Sequence, residues 1–301
     1  EANASNVVLW EFTDEDDISP NPTLTDPLGA PVKDLGYALS LPSLAMSNVP
    51  DTDGNEWVAI FGNGPNSTAG VAKLFVLFMD RGLDGWGAGD FIKLDTGRGV
   101  PVAPDQLAGY PNGLGTPALV DTDLNGTVDW VYAGDRLGNL YRFDLCDRDT
   151  TTQECSTNPS DWTVTRLFTA TYNDGGVERL QPILSQPLVI KHPDEDGFLV
   201  IFGTGSYITR EDADDEEIQS IYAIWDRGET SPAMAQPNSK YDRLVEQTLT
   251  NIVDDSGTPV QTRRALTSNS VIYEPDDGGT MGTYGWYIDL DMPRATQTTS
   301  G

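Results

Sequence analysis

Three times in this chain an acidic turn runs into a short apolar strand that closes at or beside glycine, and another apolar strand follows. The leading strands cover 57–64, 130–135 and 198–205, and the followers 74–78, 140–145 and 221–225. The turns are Asp51-Thr52-Asp53-Gly54-Asn55, the stretch 121–129, and Asp194-Glu195-Asp196-Gly197. A two-strand unit cannot bury its apolar faces by itself, so repeated units must stack sheet against sheet. The repeat predicts an all-β fold and, within that class, a β-propeller whose blades are antiparallel sheets. The units stand about 70 residues apart, so a modified propeller with long inter-strand insertions is expected. A β-sandwich is the alternative. The 30 glycines and 20 prolines in 301 residues fit many short strands joined by turns.

Nothing in the chain approaches 18 consecutive apolar residues, so no transmembrane helix is expected. The chain begins at Glu1 without a signal peptide, which suggests a mature product or an excised fragment. It reads as a single domain over 1–301. The formal net charge is -29, and only five of the 18 basic residues are Lys. Such a surface repels phosphate backbones and anionic membranes, so neither nucleic acid binding nor membrane insertion is expected. Divalent cations suit it better.

The second acidic turn is the most informative. Asp121, Asp123, Asn125 and Asp129 place oxygens at loop positions 1, 3, 5 and 9, and Thr127 offers a backbone carbonyl at position 7. Gly126 stands at position 6, where a calcium loop turns sharply. A hard cation needs several oxygens converging on one point. The twelfth position, where an EF-hand places a bidentate Glu, is Tyr132, so water is expected to complete the shell. The flanks 116–120 and 130–135 read as strands, and Pro117 argues against a helix. The expectation is a Ca2+ loop between two strands. Without the ion its carboxylates should repel and the loop should loosen. Removing Asp129 should delete a ligand and a repulsion together, leaving the cation-free fold intact. Asp51-Thr52-Asp53-Gly54-Asn55 has Ala59 at its ninth position and reads as a plain turn; 194–197 reads as a hairpin turn.

Cys146 and Cys155 are the only cysteines, nine positions apart in a polar segment, and a local disulfide is expected. The single histidine, His192, is distant from them, which argues against zinc. Further strands are expected over 6–13, 162–172, 186–191 and 284–290, and residues 34–44 lead through Gly36-Tyr37-Ala38-Leu39-Ser40 to another strand-like stretch. In 140–145, Leu140, Arg142 and Asp144 alternate with Tyr141, Phe143 and Leu145, which places most of the apolar load on one face. Trp10, Trp57, Trp130, Trp225 and Trp286 are expected to be core residues in strands.

The run 115–135 opens with Gly115-Thr116-Pro117-Ala118 and closes with Trp130-Val131-Tyr132-Ala133-Gly134-Asp135. Gly138-Asn139-Leu140-Tyr141-Arg142-Phe143-Asp144-Leu145 follows. Together they resemble the C-terminal propeller of PilY-type proteins, which are type IV pilus biogenesis factors and tip adhesins. Shorter matches in the same order include Leu9-Trp10-Glu11-Phe12, Phe202-Gly203-Thr204-Gly205-Ser206-Tyr207 and Gly285-Trp286-Tyr287-Ile288-Asp289-Leu290. The resemblance implies Ca2+ ligands at Asp121, Asp123, Asn125, Thr127 and Asp129. It also implies a calcium-binding adhesion and pilus-assembly module with no enzymatic activity. That module would sit at the pilus tip on the cell surface after export through the periplasm. Minor pilins and a host or abiotic surface would be its partners, and pilus extension and retraction its process. The family's N-terminal von Willebrand-type domain has no counterpart here. The family chain normally runs on past the strand at Gly285-Trp286, so the propeller is expected to stop short of closure. Two other functions suit a propeller: a quinoprotein-like enzyme, and an integrin-like calcium propeller that binds proteins. A fold by itself grants neither.

Overall fold

The structure, a computed structural model, describes residues 10–17, 31–99, 111–149, 151–214, 216–232, 234, 239–254, 261–276 and 282–290. The first sheet is a meander of β1 (Ser43–Asp51), β2 (Gly54–Gly62), β3 (Lys73–Phe78) and β4 (Phe91–Asp95). The second repeats that order with β5 (Ala118–Val120), β6 (Trp130–Gly134), β7 (Asn139–Asp144) and β8 (Thr163–Thr169). A hairpin of β9 (Thr171–Asp174) and β10 (Val177–Leu180) comes next. Then come β11 (Leu188–Lys191), β12 (Phe198–Gly203), β13 (Ser220–Asp226), a short helix α1 (Ser239–Arg243) and β14 (Val245–Gln247). A hairpin of β15 (Leu249–Asp254) and β16 (Gln261–Leu266) precedes β17 (Gly285–Asp289). The third sheet has the order β11-β12-β13-β17-β14, with β14 parallel to β17. These three sheets are blades of a modified β-propeller.

The repeated units occupy equivalent places. Each leading strand is the second strand of its blade, each follower is the third, and each acidic turn joins the first strand to the second. Glycine closes the second strand because another segment crosses there. A Cβ on Gly62 would lie 2.2 Å from the Gly115 carbonyl oxygen, and one on Gly134 would lie 2.2 Å from Ile183 Cγ2. A Cβ on Gly203, the counterpart in blade 3, would meet nothing within 4 Å. Among the described residues the sheets do not close into a ring.

Because a blade lies between neighbours, both of its faces are apolar. Val131, Ala133, Tyr141 and Phe143 pack with Val58, Ile60, Leu74 and Val76 of blade 1. Tyr132, Leu140 and Phe168 pack with Val200, Phe202, Tyr222 and Ile224 of blade 3. No hydrophobic cluster joins blade 1 to blade 3 among the described residues. Each fully buried side chain of this size contributes about 1.5–3 kcal/mol, so the two blade interfaces hold the molecule together.

The expected one-sided apolar load on 140–145 holds: Tyr141, Phe143 and Leu145 share the blade 1 face, and Leu140 alone among the apolar side chains takes the other, beside Arg142. Arg142 is buried on the blade 3 face, where Nη1 donates to Asp226 Oδ1 at 2.6 Å and the guanidinium stacks 4.6 Å over Trp130. An arginine is tolerated there only because the partner carboxylate crosses from β13. The strand expected over 6–13 is not found: 6–9 lie outside the described residues, and 10–13 form no strand. Instead Trp10 and Phe12 lie on the outer face of blade 1, against Phe61, Phe75, Trp86 and Phe91. Residues 34–44 lead, as expected, into a strand, β1, which begins at Ser43. Trp57 is 51% exposed, near the turn end of β2, rather than core.

Candidate metal centre

The loop 121–129 hangs between the last residue pair of β5 and β6, Val120 with Trp130. Both ends are fixed by the sheet. The Asp129 amide donates to the Val120 carbonyl at 2.9 Å, and the Leu145 amide donates to the Asp129 carbonyl at 2.7 Å. This anchoring turns the fully buried Asp129 side chain back into the loop. At the tip, Leu124 and Gly126 take φ of 64° and 95°. Gly126 makes such a φ at no steric cost, and the chain can curl there.

Carboxylate oxygens of Asp121, Asp123 and Asp129 come within 4.8 Å of one another. Asp121 Oδ1 accepts from the Leu124 amide at 2.7 Å, and Oδ2 from the Gly126 amide at 2.8 Å. Burial raises the Asp121 carboxyl, but the amides of Gly126, Leu124, Asn125 and Asp123 outweigh it and hold the pKa below the usual carboxylate value. Asp123 is exposed at the loop surface, and its Oδ1 accepts from the Asn125 amide at 3.2 Å. Asn125 Oδ1 accepts from the Thr127 amide at 2.8 Å and from Thr127 Oγ1 at 2.5 Å. Three of the five expected ligands thus converge through carboxylates, while the Asn125 oxygen is held by Thr127. Tyr132 is buried and its hydroxyl donates to Asp226 at 2.8 Å, so the twelfth position serves the blade 3 interface.

Two partners lie outside the loop's own pattern. Asn48 of β1 donates to the Val128 carbonyl and to Asp129 Oδ1, both at 3.1 Å, and accepts from Thr127 Oγ1 at 2.8 Å. The Val128 amide donates to the Met46 carbonyl at 2.8 Å, which extends the edge of blade 1 onto the loop. The loop is therefore also a clasp between blades 1 and 2. The second partner is Arg148, whose Nη2 lies 2.9 Å from Asp123 Oδ2 and 3.4 Å from Asp129 Oδ2. Arg148 stands in the segment closed by the Cys146–Cys155 disulfide, and Cys155 Sγ is 3.4 Å from Asp129 Oδ1. Both sulfurs are bonded to each other and are not ligands.

These contacts revise the role expected of Asp129. Its Oδ2 also accepts from the Thr122 amide at 2.8 Å and from Thr122 Oγ1 at 2.5 Å. Asp129→Ala would strip acceptors from four donors, on Asn48, Thr122 and Arg148, so it would weaken the cation-free fold. Asp123 has no such structural duty beyond Arg148 and one amide, which makes Asp123→Asn the cleaner probe.

The other acidic turns do not build such a site. The Thr52 amide donates to Asp51 Oδ1 at 2.6 Å in an exposed turn. In blade 3 the turn is organised by buried His192, whose Nδ1 accepts from the amides of Asp194 at 3.2 Å and Glu195 at 2.9 Å.

Comparison with known proteins gives a consistent picture. The PilY1 beta-propeller domain family matches residues 4–259. The chain is similar to the type IV pilus biogenesis factor PilY1 of Pseudomonas aeruginosa strain UCBPP-PA14, with 29% identity over 95% of this chain and 24% of that protein. It is also similar to a type IV pilus biogenesis factor PilY1 homolog of Xylella fastidiosa, with 31% identity over 96% of this chain and 16% of that protein. The chain thus spans a quarter or less of these relatives. Among solved structures, the crystal structure of the Pseudomonas aeruginosa PilY1 C-terminal domain matches with a TM-score of 0.67 and 28% identity. That match covers 94% of this chain and 54% of the other.

Proposed function

Because this chain belongs to the PilY1 beta-propeller family, we propose that it is the calcium-binding, non-catalytic propeller module of a type IV pilus biogenesis factor. In this reading it works at the pilus tip, outside the cell, with minor pilins and an attachment surface as partners. It couples calcium to the balance of pilus extension and retraction. The observation that carries the reading is the convergence of Asp121, Asp123 and Asp129 in a loop that also clasps two blades. Oxygen-rich ligand sets of this kind favour Ca2+ over softer metals. An ion bound there would neutralise the crowded carboxylates and brace the clasp, so calcium would act on the blade interface as well as on a surface loop.

The enzyme alternative is less well supported. A cavity of about 450 Å³ lies where the lead-ins to β1, β5 and β11 meet the run-outs of β2 and β12. Among the described residues its lining is glycine backbone, hydroxyls and apolar side chains such as Leu39, Leu114 and Ile208, with no carboxylate, imidazole or amine. General acid–base chemistry needs such groups in reach of a substrate.

The test is complementation. Cells lacking their own PilY1-type factor receive a full-length factor carrying this propeller, either unchanged or with Asp123→Asn. The unchanged protein should restore surface pili and twitching in a calcium-dependent way, and the variant should lose the calcium response. Equal responses from both would contradict the reading.

A further inference from the structure

We propose that Arg148 is a tethered counter-cation that occupies the 121–129 carboxylates until a divalent cation displaces it, and that it thereby sets the affinity of the site. The inference rests on the calcium reading above and names how that site is regulated. Arg148 Nη2 lies on oxygens of two of the three converging carboxylates, 2.9 Å from Asp123 Oδ2 and 3.4 Å from Asp129 Oδ2. It also reaches Thr122 Oγ1 at 3.5 Å. A metal ion drawing on those carboxylates must compete with the guanidinium for their charge, and often for the same lone pairs.

The side chain is held in this place. Arg148 follows Cys146 by two positions, in a segment closed by the Cys146–Cys155 disulfide. Its Nη1 donates to the Gln153 carbonyl at 2.6 Å. The segment carries its own backbone bonds: Asp149 amide to Glu154 carbonyl at 3.0 Å, Gln153 amide to Asp149 carbonyl at 2.9 Å, and Ser156 amide to Cys146 carbonyl at 2.6 Å. Asp147 adopts a φ of 40°, a left-handed kink just before Arg148. Arg148 is thus presented by a cross-linked platform whose Cys155 sulfur packs 3.4 Å from Asp129 Oδ1.

The consequence reverses the expectation that an ion-free loop loosens. Three carboxylates without a metal repel, but one guanidinium shared between two of them removes much of that repulsion. Binding of calcium is then an exchange of one cation for another on the same carboxylates. The exchange lowers affinity, because part of the binding energy goes to displacing Arg148. A single positive charge at this distance changes divalent affinity by on the order of tenfold.

The experiment is calorimetric titration of the whole chain with CaCl2 at low ionic strength, comparing the parent, Arg148→Gln and Arg148→Lys. Melting in chelator is measured alongside. The Gln variant should bind calcium about tenfold more tightly than the parent and melt lower in chelator. The Lys variant, which keeps the charge, should stay near the parent in affinity. A Gln variant that binds no more tightly than the parent overturns the inference and leaves calcium binding standing. A Lys variant as tight as the Gln variant also overturns it, because charge would not be the cause. No binding by any of the three overturns the calcium reading and this inference together.

Discussion

In blade 1, Asp51 pairs with Gly54, so the acidic turn has two residues at its tip and its side chains point into solvent. In blade 2, Val120 pairs with Trp130, and nine residues lie between them. The two turns join equivalent strands and both begin Asp-Thr-Asp. They differ in length and in what stands at the ninth position. In blade 1 that position is Ala59, buried against Phe61, Phe75 and Leu77 within the sheet. In blade 2 it is Asp129, locked by backbone bonds to Val120 and Leu145 with its carboxylate aimed into the loop. Acidity alone therefore does not make a site. A carboxylate fixed by the sheet, and a loop long enough to fold back over it, bring the others into range.

The largest expected effect comes from forcing blade 1 to imitate blade 2. Ala59→Asp puts a carboxylate at the ninth position without a loop to receive it. Burying that uncompensated charge in the aromatic cluster should cost several kcal/mol. Denaturant unfolding should show the loss, and calorimetry should show no added calcium site. A stable variant that gains a site would break the comparison.

Removing the cross-link behind the blade 2 loop should cost about 2–3 kcal/mol, since the Cys146–Cys155 bridge closes a short segment. The double variant Cys146→Ser with Cys155→Ser, followed by thermal melting, measures it. An unchanged melting temperature would show that the segment holds its shape without the bridge.

Asn48→Ala sharpens the comparison from the other side. It deprives the Val128 carbonyl, Asp129 and Thr127 of their blade 1 partner, and about 1–2 kcal/mol should be lost. The loss should appear as a lower denaturant midpoint, and calcium should recover part of it.

The smallest effect concerns acid. The folded-state pKa of Asp121 is depressed by backbone amides, so its contribution to stability is present above the unfolded value of about 3.9. That contribution is lost as pH falls through the depressed folded value. Asp121→Asn should change stability at neutral pH by less than about 1 kcal/mol and should flatten the acid limb of the stability curve. An acid limb identical to the parent's would assign the dependence to other carboxylates.

What was legible in the sequence follows the range of the interactions. The second and third strands of each blade are near-continuous apolar runs such as Leu74–Phe78 within β3, and they show because both faces are buried. The converging residues of 121–129 show because their spacing is local. β4 was not legible, because Lys93 interrupts it and pairs with Asp17 and Asp34 of the N-terminal segment. β10, Val177–Leu180, is short and half exposed and carries no pattern. Asn48 and Arg148 reach the loop by tertiary folding. Asn48 lies about 80 positions from Asp129 and nothing near it hints at a role. The one usable hint for Arg148 is that a lone basic residue sits inside a cysteine-closed segment downstream of an acidic loop.

The central claim is that the blade 2 loop is a calcium site, and titration of the parent against Asp123→Asn with CaCl2 tests it most directly. The parent should give one saturable site with a dissociation constant of about 10⁻⁶–10⁻³ M, weaker than a complete EF-hand because Tyr132 stands at position 12. At a hundredfold excess over that constant, calcium should stabilise the parent by about 2.7 kcal/mol, seen as a raised melting temperature. Asp123→Asn should lose most of the binding and most of the shift while melting close to the parent in chelator. A parent that binds no calcium, or a variant that binds it equally well, would contradict the account.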